Sequence, residues 1–247
     1  MTLPGSALVL GLARSGQAAR AALERRGVRV VGADRELGND DDVSLLDGTE
    51  LLVKSPGVPA EAVLVVEARL RGIPVWSELE LGSRVLENPL VAVTGTNGKT
   101  TTSELLGAML GAPVAGNVGV ALSGLDGAVE PGSWVVVEAS SFQLEDVDTF
   151  RPRVAVLLNL EPDHLDRHGT FGAYADAKLR IFENQDADDV AVVPRRFEPI
   201  PGEARRIEFA PTDELPAEPL IPGAHNRENA AAATAAARAL GVDGPGI

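Results

Sequence analysis

The sequence predicts an α/β protein with mostly parallel sheets, organised as two domains that meet near residue 88. Short apolar runs of four to six residues, at 7–12, 28–31, 51–54, 73–76, 90–93, 134–138, 154–159 and 190–193, alternate with stretches of helical spacing. That alternation is the signature of βαβ units. Two of the runs break into glycine-containing turns that lead straight into a helix, at residues 11–16 and 95–98. In an open parallel sheet such turns lie at the carboxyl ends of strands, where ligands bind. Glu87-Asn-Pro89 reads as a connector, which gives a first domain over 1–88 and a second over 89–247.

Composition narrows the function classes. Of 247 residues 45% are hydrophobic but only 4% aromatic, so the cores must be built mostly from Val, Leu and Ala. Cysteine is absent, which excludes a disulfide framework and a thiolate zinc site. The net charge of −14 repels phosphate backbones, so no nucleic-acid partner is expected. No apolar run reaches the roughly 18 residues of a membrane span, and the N-terminus carries no basic-then-apolar leader. A cytoplasmic monomer without membrane insertion is the expectation. Lysine occurs only at 54, 99 and 178, and histidine only at 164, 168 and 225.

Taken in order, strand 7–12 runs through Gly11 into Ala13-Arg-Ser-Gly16, and a helix follows from 17 to 26 until Gly27 stops it. The next strand, from 28, ends near Asp34-Arg35. The Gly11-to-Gly16 turn lacks the middle glycine of the dinucleotide fingerprint, while Asp34 stands about 20 residues on, as that fingerprint asks. A nucleotide-like ligand and a plain tight turn both remain open for this segment. Strand 51–54 enters Ser55-Pro-Gly-Val-Pro59, helices are expected over 61–71 and 78–85, and the whole reads as a small five-stranded α/β fold.

The second domain opens on the clearest motif. A buried-strand run at 90–93 gives way to Gly95-Thr96-Asn97-Gly98, then Lys99-Thr100-Thr101, then a helix over 103–110. Strand, glycine-rich turn, Lys-Thr and helix form a phosphate-binding loop, whose backbone N–H groups and helix N-terminus favour a polyphosphate. Lys99 is placed to reach the β/γ-phosphates and the Thr100 hydroxyl to hold Mg²⁺. The early glycine of the usual loop is replaced by Val93. An ATP site follows. Glu138 and Asn159 and the cluster from Asp163 to His168 also fall at strand ends. Glu138 suits a Mg²⁺ ligand, and His164 a metal ligand or general acid/base oriented by Asp163 or Asp166. His168 reads as a bystander or as a residue that supports the metal ligands from behind.

Residues 174–184 have helical spacing, with Tyr174, Leu179 and Phe182 as core positions; Lys178 read alone is a solvated helix lysine. Short strands are expected over 190–193 and 205–209. Gly223-Ala-His-Asn226-Arg-Glu-Asn229 then opens an alanine-rich helix to residue 240, either as a cap or as a reader of base and ribose, and 241–247 read as helix exit and linker.

Together these motifs resemble the Mur ligase family of peptidoglycan synthesis. The residues that carry the likeness are Thr94-Gly-Thr-Asn-Gly-Lys-Thr-Thr101, Glu138-Ala-Ser-Ser-Phe-Gln-Leu144, Asn159-Leu-Glu-Pro-Asp-His-Leu-Asp-Arg167, Lys178-Leu-Arg-Ile-Phe-Glu-Asn184 and Pro222-Gly-Ala-His-Asn-Arg-Glu-Asn229. The Ser-Ser-Phe-Gln-Leu and Lys-Leu-Arg-Ile-Phe-Glu-Asn stretches look most like its D-glutamate-adding branch. The resemblance implies a Rossmann-like first domain and a P-loop-type ATPase second domain. It implies that UDP-N-acetylmuramoyl-L-alanine is activated by ATP as an acyl phosphate, which the amine of D-glutamate then attacks. By position, Lys99 and Thr100 are implied to hold ATP and a first Mg²⁺, with Glu138 as its carboxylate. His164 and a carbamylated Lys178 are implied to hold a second. Asn226 and Asn229 are implied on the adenine side, Asn117 and Ser140 on the muramoyl side, and Leu12, Ala13, Arg14, Asp34, Arg35, Ser55 and Gly57 on the UDP part. Family members carry a third, C-terminal domain that binds the amino acid. Nothing in the sequence corresponds to it, so the chain is expected not to complete amide formation. The L-alanine-adding branch, folylpolyglutamate synthase, a non-catalytic nucleotide-binding module and an NAD-dependent dehydrogenase are the competing readings.

Overall fold

The computed structural model describes residues 3–220 and 222–242. They separate into two compact units, each with its own sheet.

The first unit contains strands β1 (Ser6–Leu10), β2 (Arg29–Ala33), β3 (Leu52–Lys54) and β4 (Val75–Ser77), with helices α1 (Arg14–Arg25), α2 (Val63–Leu70) and α3 (Glu78–Val85). The sheet order is β2-β1-β3-β4, all parallel. Central β1 and β3 are buried at every position, whereas edge strand β2 alternates exposed and part-buried residues up to buried Ala33. The chain passes from β1 to β2 on one side and to β3 on the other, so the crevice of this sheet lies at the carboxyl ends of β1 and β3. The expected fifth strand is not present among the described residues. The stretch between β2 and β3 instead forms two short 3₁₀ turns, Arg35–Leu37 and Val43–Leu46. Asp34 and Asp42 cap them through their carboxylates, and this local capping competes with strand pairing.

Two later segments, Val120–Val129 and Phe142–Phe150, pack into this same unit. Buried charge holds them. Glu80, fully buried, accepts the backbone N–H groups of Asp148 (2.9 Å), Thr149 (3.0 Å) and Phe150 (2.9 Å), the Thr149 hydroxyl and the Arg84 guanidinium. Glu78 accepts the Ser123 N–H at 2.7 Å, and burial pushes its carboxyl above the usual range. Lys54, with no exposed surface, pairs with Asp146 at 2.7 Å.

The second unit is built on strands β5 (Leu90–Thr94), β6 (Val114–Gly116), β7 (Val135–Glu138), β8 (Val154–Leu157), β9 (Val190–Pro194) and β10 (Arg205–Phe209). Its helices are α4 (Lys99–Leu110), α6 (Leu165–His168), α7 (Phe171–Leu179) and α8 (Ala224–Ala239), while the one-turn α5 (Ser141–Leu144) has only its first residue in this unit. The sheet is fully parallel in the order β10-β9-β8-β5-β7-β6. Its core is Val, Leu and Ala from β5, β7, β8 and β9 with the alanine face of α8, and one aromatic, Phe209. Alanine lets that helix approach the sheet closely while keeping high helix propensity. The helix predicted to start at Tyr174 begins at Phe171, because the Thr170 hydroxyl accepts the Ala173 N–H. Residues 243–247, where a linker was expected, lie outside the described residues. Among the described residues no helix is long and apolar enough to cross a membrane.

Candidate active site

Sheet register assembles the site. Val93 on β5 stands opposite Glu138 on β7, and Gly116 on β6 is level with the same glutamate. The loop after β5 therefore emerges directly beside the carboxylate that ends β7, while β8 ends two residues before Asn159 on the other flank.

The loop ends in Gly98, which has φ of +84° and is the N-cap of α4; no side chain caps that terminus and no acidic residue lies in its first turn. A Cβ on Gly98 would lie 2.2 Å from the Asn229 Oδ1, so glycine is what lets the Asn229 carboxamide rest against the loop. The result is an uncapped helix N-terminus with free positive dipole, the chemistry of an anion site. The Lys99 ammonium folds back onto the carbonyls of Gly95 and Thr96, each at 2.9 Å. Burial lowers its pKa, and the nearby Glu138 and Asp163 charges act against that shift.

Glu138 is almost fully buried and bridges two expected site residues. Its Oε2 accepts the Thr100 hydroxyl at 2.8 Å and its Oε1 the Asn117 amide at 2.8 Å. Hydroxyl and carboxylate oxygens side by side at a phosphate loop are the hard donors that Mg²⁺ takes, so the residues present fit one such ion. Ser140 follows two residues beyond, part-buried.

Lys178 is not a solvated helix lysine. It is 2% exposed, donates to the Gly95 carbonyl at 2.8 Å and lies 4.8 Å from the centre of the Tyr174 ring. Burial, with the Lys99 charge adding to it, pushes its pKa down to about 7. Position 178 falls on the inner face of α7 with Tyr174 and Ala177, and only the packing of that face reveals the burial. Tyr174 connects the elements: its hydroxyl is 2.9 Å from the Thr96 hydroxyl, and the His164 and His168 rings meet it edge-on. His164 itself has φ of +51° as the N-cap of α6, with its Nε2 3.5 Å from Asp163. His168 contacts the Ser141 hydroxyl at 2.9 Å. Among the described residues no three His, Asp or Glu side chains gather as a ready-made metal centre.

A cavity of about 490 Å³ opens beside the loop, lined by Asn97, Gly98, Thr101, Asn159, His225, Asn226, Glu228 and Asn229. It brings the two asparagines of α8 to the phosphate loop. His225 and Glu228 were not anticipated, although both stand on the same helical turn as the asparagines. Neither were the roles of Tyr174 and Asn159, whose strand-end and helix-face positions were the only available signals.

The first unit has its own crevice of about 320 Å³, to which Asp34, Arg35 and Gly57 contribute along with Gly11 and Val58. Gly16 is obligatory here, since a Cβ would fall 1.8 Å from the Gly11 carbonyl oxygen. The Ser55 hydroxyl donates to that same carbonyl at 2.7 Å. Asp34 accepts the N–H groups of Leu12 and Glu36, which hold its carboxyl below the usual range. Ala13 and Arg14 are exposed at the start of α1.

Residues 93–200 match the Mur ligase middle domain. The UDP-N-acetylmuramoylalanine–D-glutamate ligase of Anaeromyxobacter dehalogenans (strain 2CP-C) is 40% identical over 97% of this chain, which spans 64% of that relative's length. The ligase of the same name from Geobacter metallireducens is 46% identical over 75% of the chain and 46% of its own length. Among solved structures, UDP-N-acetylmuramate:L-alanyl-gamma-D-glutamyl-meso-diaminopimelate ligase from Neisseria meningitides aligns over 98% of this chain and 95% of its own, with a TM-score of 0.62. At 21% identity that likeness speaks for the fold.

Proposed function

We propose, from the premise that this chain belongs to the Mur ligase family, that it carries the nucleotide and UDP-substrate sites of an ATP-dependent ligase that joins D-glutamate to UDP-N-acetylmuramoyl-L-alanine. The observation that carries the reading is the contact of Thr100 and Glu138 at the mouth of uncapped α4, with Lys99 alongside. ATP supplies the phosphoryl group that turns the substrate carboxylate into an acyl phosphate, the species an amine attacks. The α4 N-terminus and Lys99 bind and neutralise the polyphosphate, while Thr100 and Glu138 hold one Mg²⁺. Asn226 and Asn229 face the adenine, and Leu12, Ala13, Arg14 and Ser55, with the crevice residues Asp34, Arg35 and Gly57, take the UDP part. Asn117 and Ser140 meet the muramoyl group. Lys178 as its carbamate, with His164, holds a second Mg²⁺. A low amine pKa favours this, since only the neutral amine adds CO₂.

Calorimetric titration tests the reading. Mg·ATP is expected to bind, to lose most of its affinity when EDTA removes the metal, and to fail with Lys99→Ala. UDP-N-acetylmuramoyl-L-alanine is expected to bind in preference to UDP-N-acetylmuramate or NAD⁺. Preference for UDP-N-acetylmuramate would shift the reading to an L-alanine-adding ligase, and absence of Mg·ATP binding would remove it.

A further inference from the structure

The loop from Gly95 to Gly98 is gripped from outside its own segment. The Asn159 side chain accepts the N–H of Asn97 at 2.9 Å and of Thr96 at 3.1 Å through one oxygen, Oδ1, and returns a hydrogen bond from Nδ2 to the Asn97 carbonyl at 3.2 Å. The Asn159 backbone carbonyl accepts the Thr96 N–H as well, at 3.1 Å. Contact is tight behind this grip, where a Cβ on Gly95 would come within 3.0 Å of the Leu158 Cβ. From the other side, Lys99 and Lys178 hold the Gly95 carbonyl.

We infer that Asn159 is a positioning residue that fixes the phosphate loop and divides its donors. The carboxamide occupies the Thr96 and Asn97 N–H groups, and the donors turned to phosphate are those at the start of α4, from Gly98 to Thr101. A carboxamide is the side chain this task needs. It is neutral next to a polyphosphate, and it accepts two N–H groups while donating to a carbonyl of the same loop. Aspartate keeps the acceptor but loses the donor and adds a repulsive charge. Leucine, of similar size, loses both. Holding the loop beforehand removes the ordering cost from nucleotide binding.

The inference rests on the ATP reading above, and its test separates the two. Amide hydrogen exchange of the nucleotide-free chain is measured beside Mg·ATP affinity for wild type, Asn159→Leu and Asn159→Asp. In Asn159→Leu the amide of Asn97, whose acceptor is the side chain, is expected to exchange faster, while Thr96 keeps the Asn159 backbone carbonyl and the β5 and β8 amides do not change, and Mg·ATP binding is expected to weaken about ten-fold. Asn159→Asp is expected to retain protection of both amides yet bind Mg·ATP more weakly. Binding of UDP-N-acetylmuramoyl-L-alanine is expected to be unaffected in both. Unchanged exchange in Asn159→Leu, equally fast exchange in the two variants, or wild-type Mg·ATP affinity in either would overturn the clamp. A wild-type chain that binds no Mg·ATP sinks the ATP reading instead, and exchange at Asn97 still judges the grip.

Discussion

Helix α7 buries Lys178 between the Gly95 carbonyl and the Tyr174 ring, and its pKa falls to about 7. In the unfolded chain the same amine titrates near its ordinary value of about 10.4. Between those values the unfolded state binds the extra proton, so stability rises with pH across that window, and the full penalty of a buried ammonium is present below about 7. Replacing Lys178 with Met, which fills similar volume without charge, is expected to flatten the rise. Urea midpoints of both proteins between pH 6.5 and 10, in CO₂-free buffer so that Lys178 is the free amine, measure it, and parallel curves would refute the buried-amine assignment. The contrast with Lys99 explains what the sequence disclosed at this scale. Gly-Lys-Thr after an apolar run announces its chemistry locally, because loop, lysine and hydroxyl are consecutive. Lys178 and Tyr174 gain their environment from a loop about eighty residues away, and no spacing within α7 specifies that.

Whole elements were legible wherever patterning and capping agreed. The β5 loop and α4 were evident because four apolar residues, a glycine turn and a helix-forming stretch follow without interruption. The alanine run of α8 was equally plain as a helix. That it lies against the phosphate loop was not, because the fit depends on the missing Cβ of Gly98. Gly98→Ala should therefore act on two elements together. It places a side chain at φ of +84° and drives a Cβ to within 2.2 Å of Asn229. The backbone strain alone is about 1–3 kcal/mol, and the Asn229 carboxamide must turn away from the loop to relieve the overlap. Urea denaturation is expected to register that loss, and Mg·ATP titration a fall larger than the stability change implies, since loop and cavity are both displaced. An alanine variant of wild-type stability and affinity would show that the close approach carries no weight.

For the molecule as a whole, the connector at Glu87-Asn-Pro89 marks a change in the chain without marking where the first unit is complete. Val120–Val129 and Phe142–Phe150 belong to that unit, and buried charges on residues before the connector hold them. The composition of those segments offered no hint, because the partner carboxylates Glu78 and Glu80 look like ordinary acids in the first turn of a helix. A fragment ending at residue 87 would leave Glu80 without its three backbone donors, Glu78 without Ser123 and Lys54 without Asp146. Leaving one buried charge uncompensated costs about 3–5 kcal/mol, and two such losses, at Glu80 and Lys54, are already comparable with the stability margin of most small domains. The fragment is therefore expected to show no cooperative thermal transition by circular dichroism. In the intact chain, Glu80→Ala is expected to cost about 3–5 kcal/mol in urea denaturation, because it strands the donors at 148–150. A 1–87 fragment that melts cooperatively would mean that these buried carboxylates and the lysine can be resolvated or neutralised without loss of the sheet, and that the later segments only decorate the first unit.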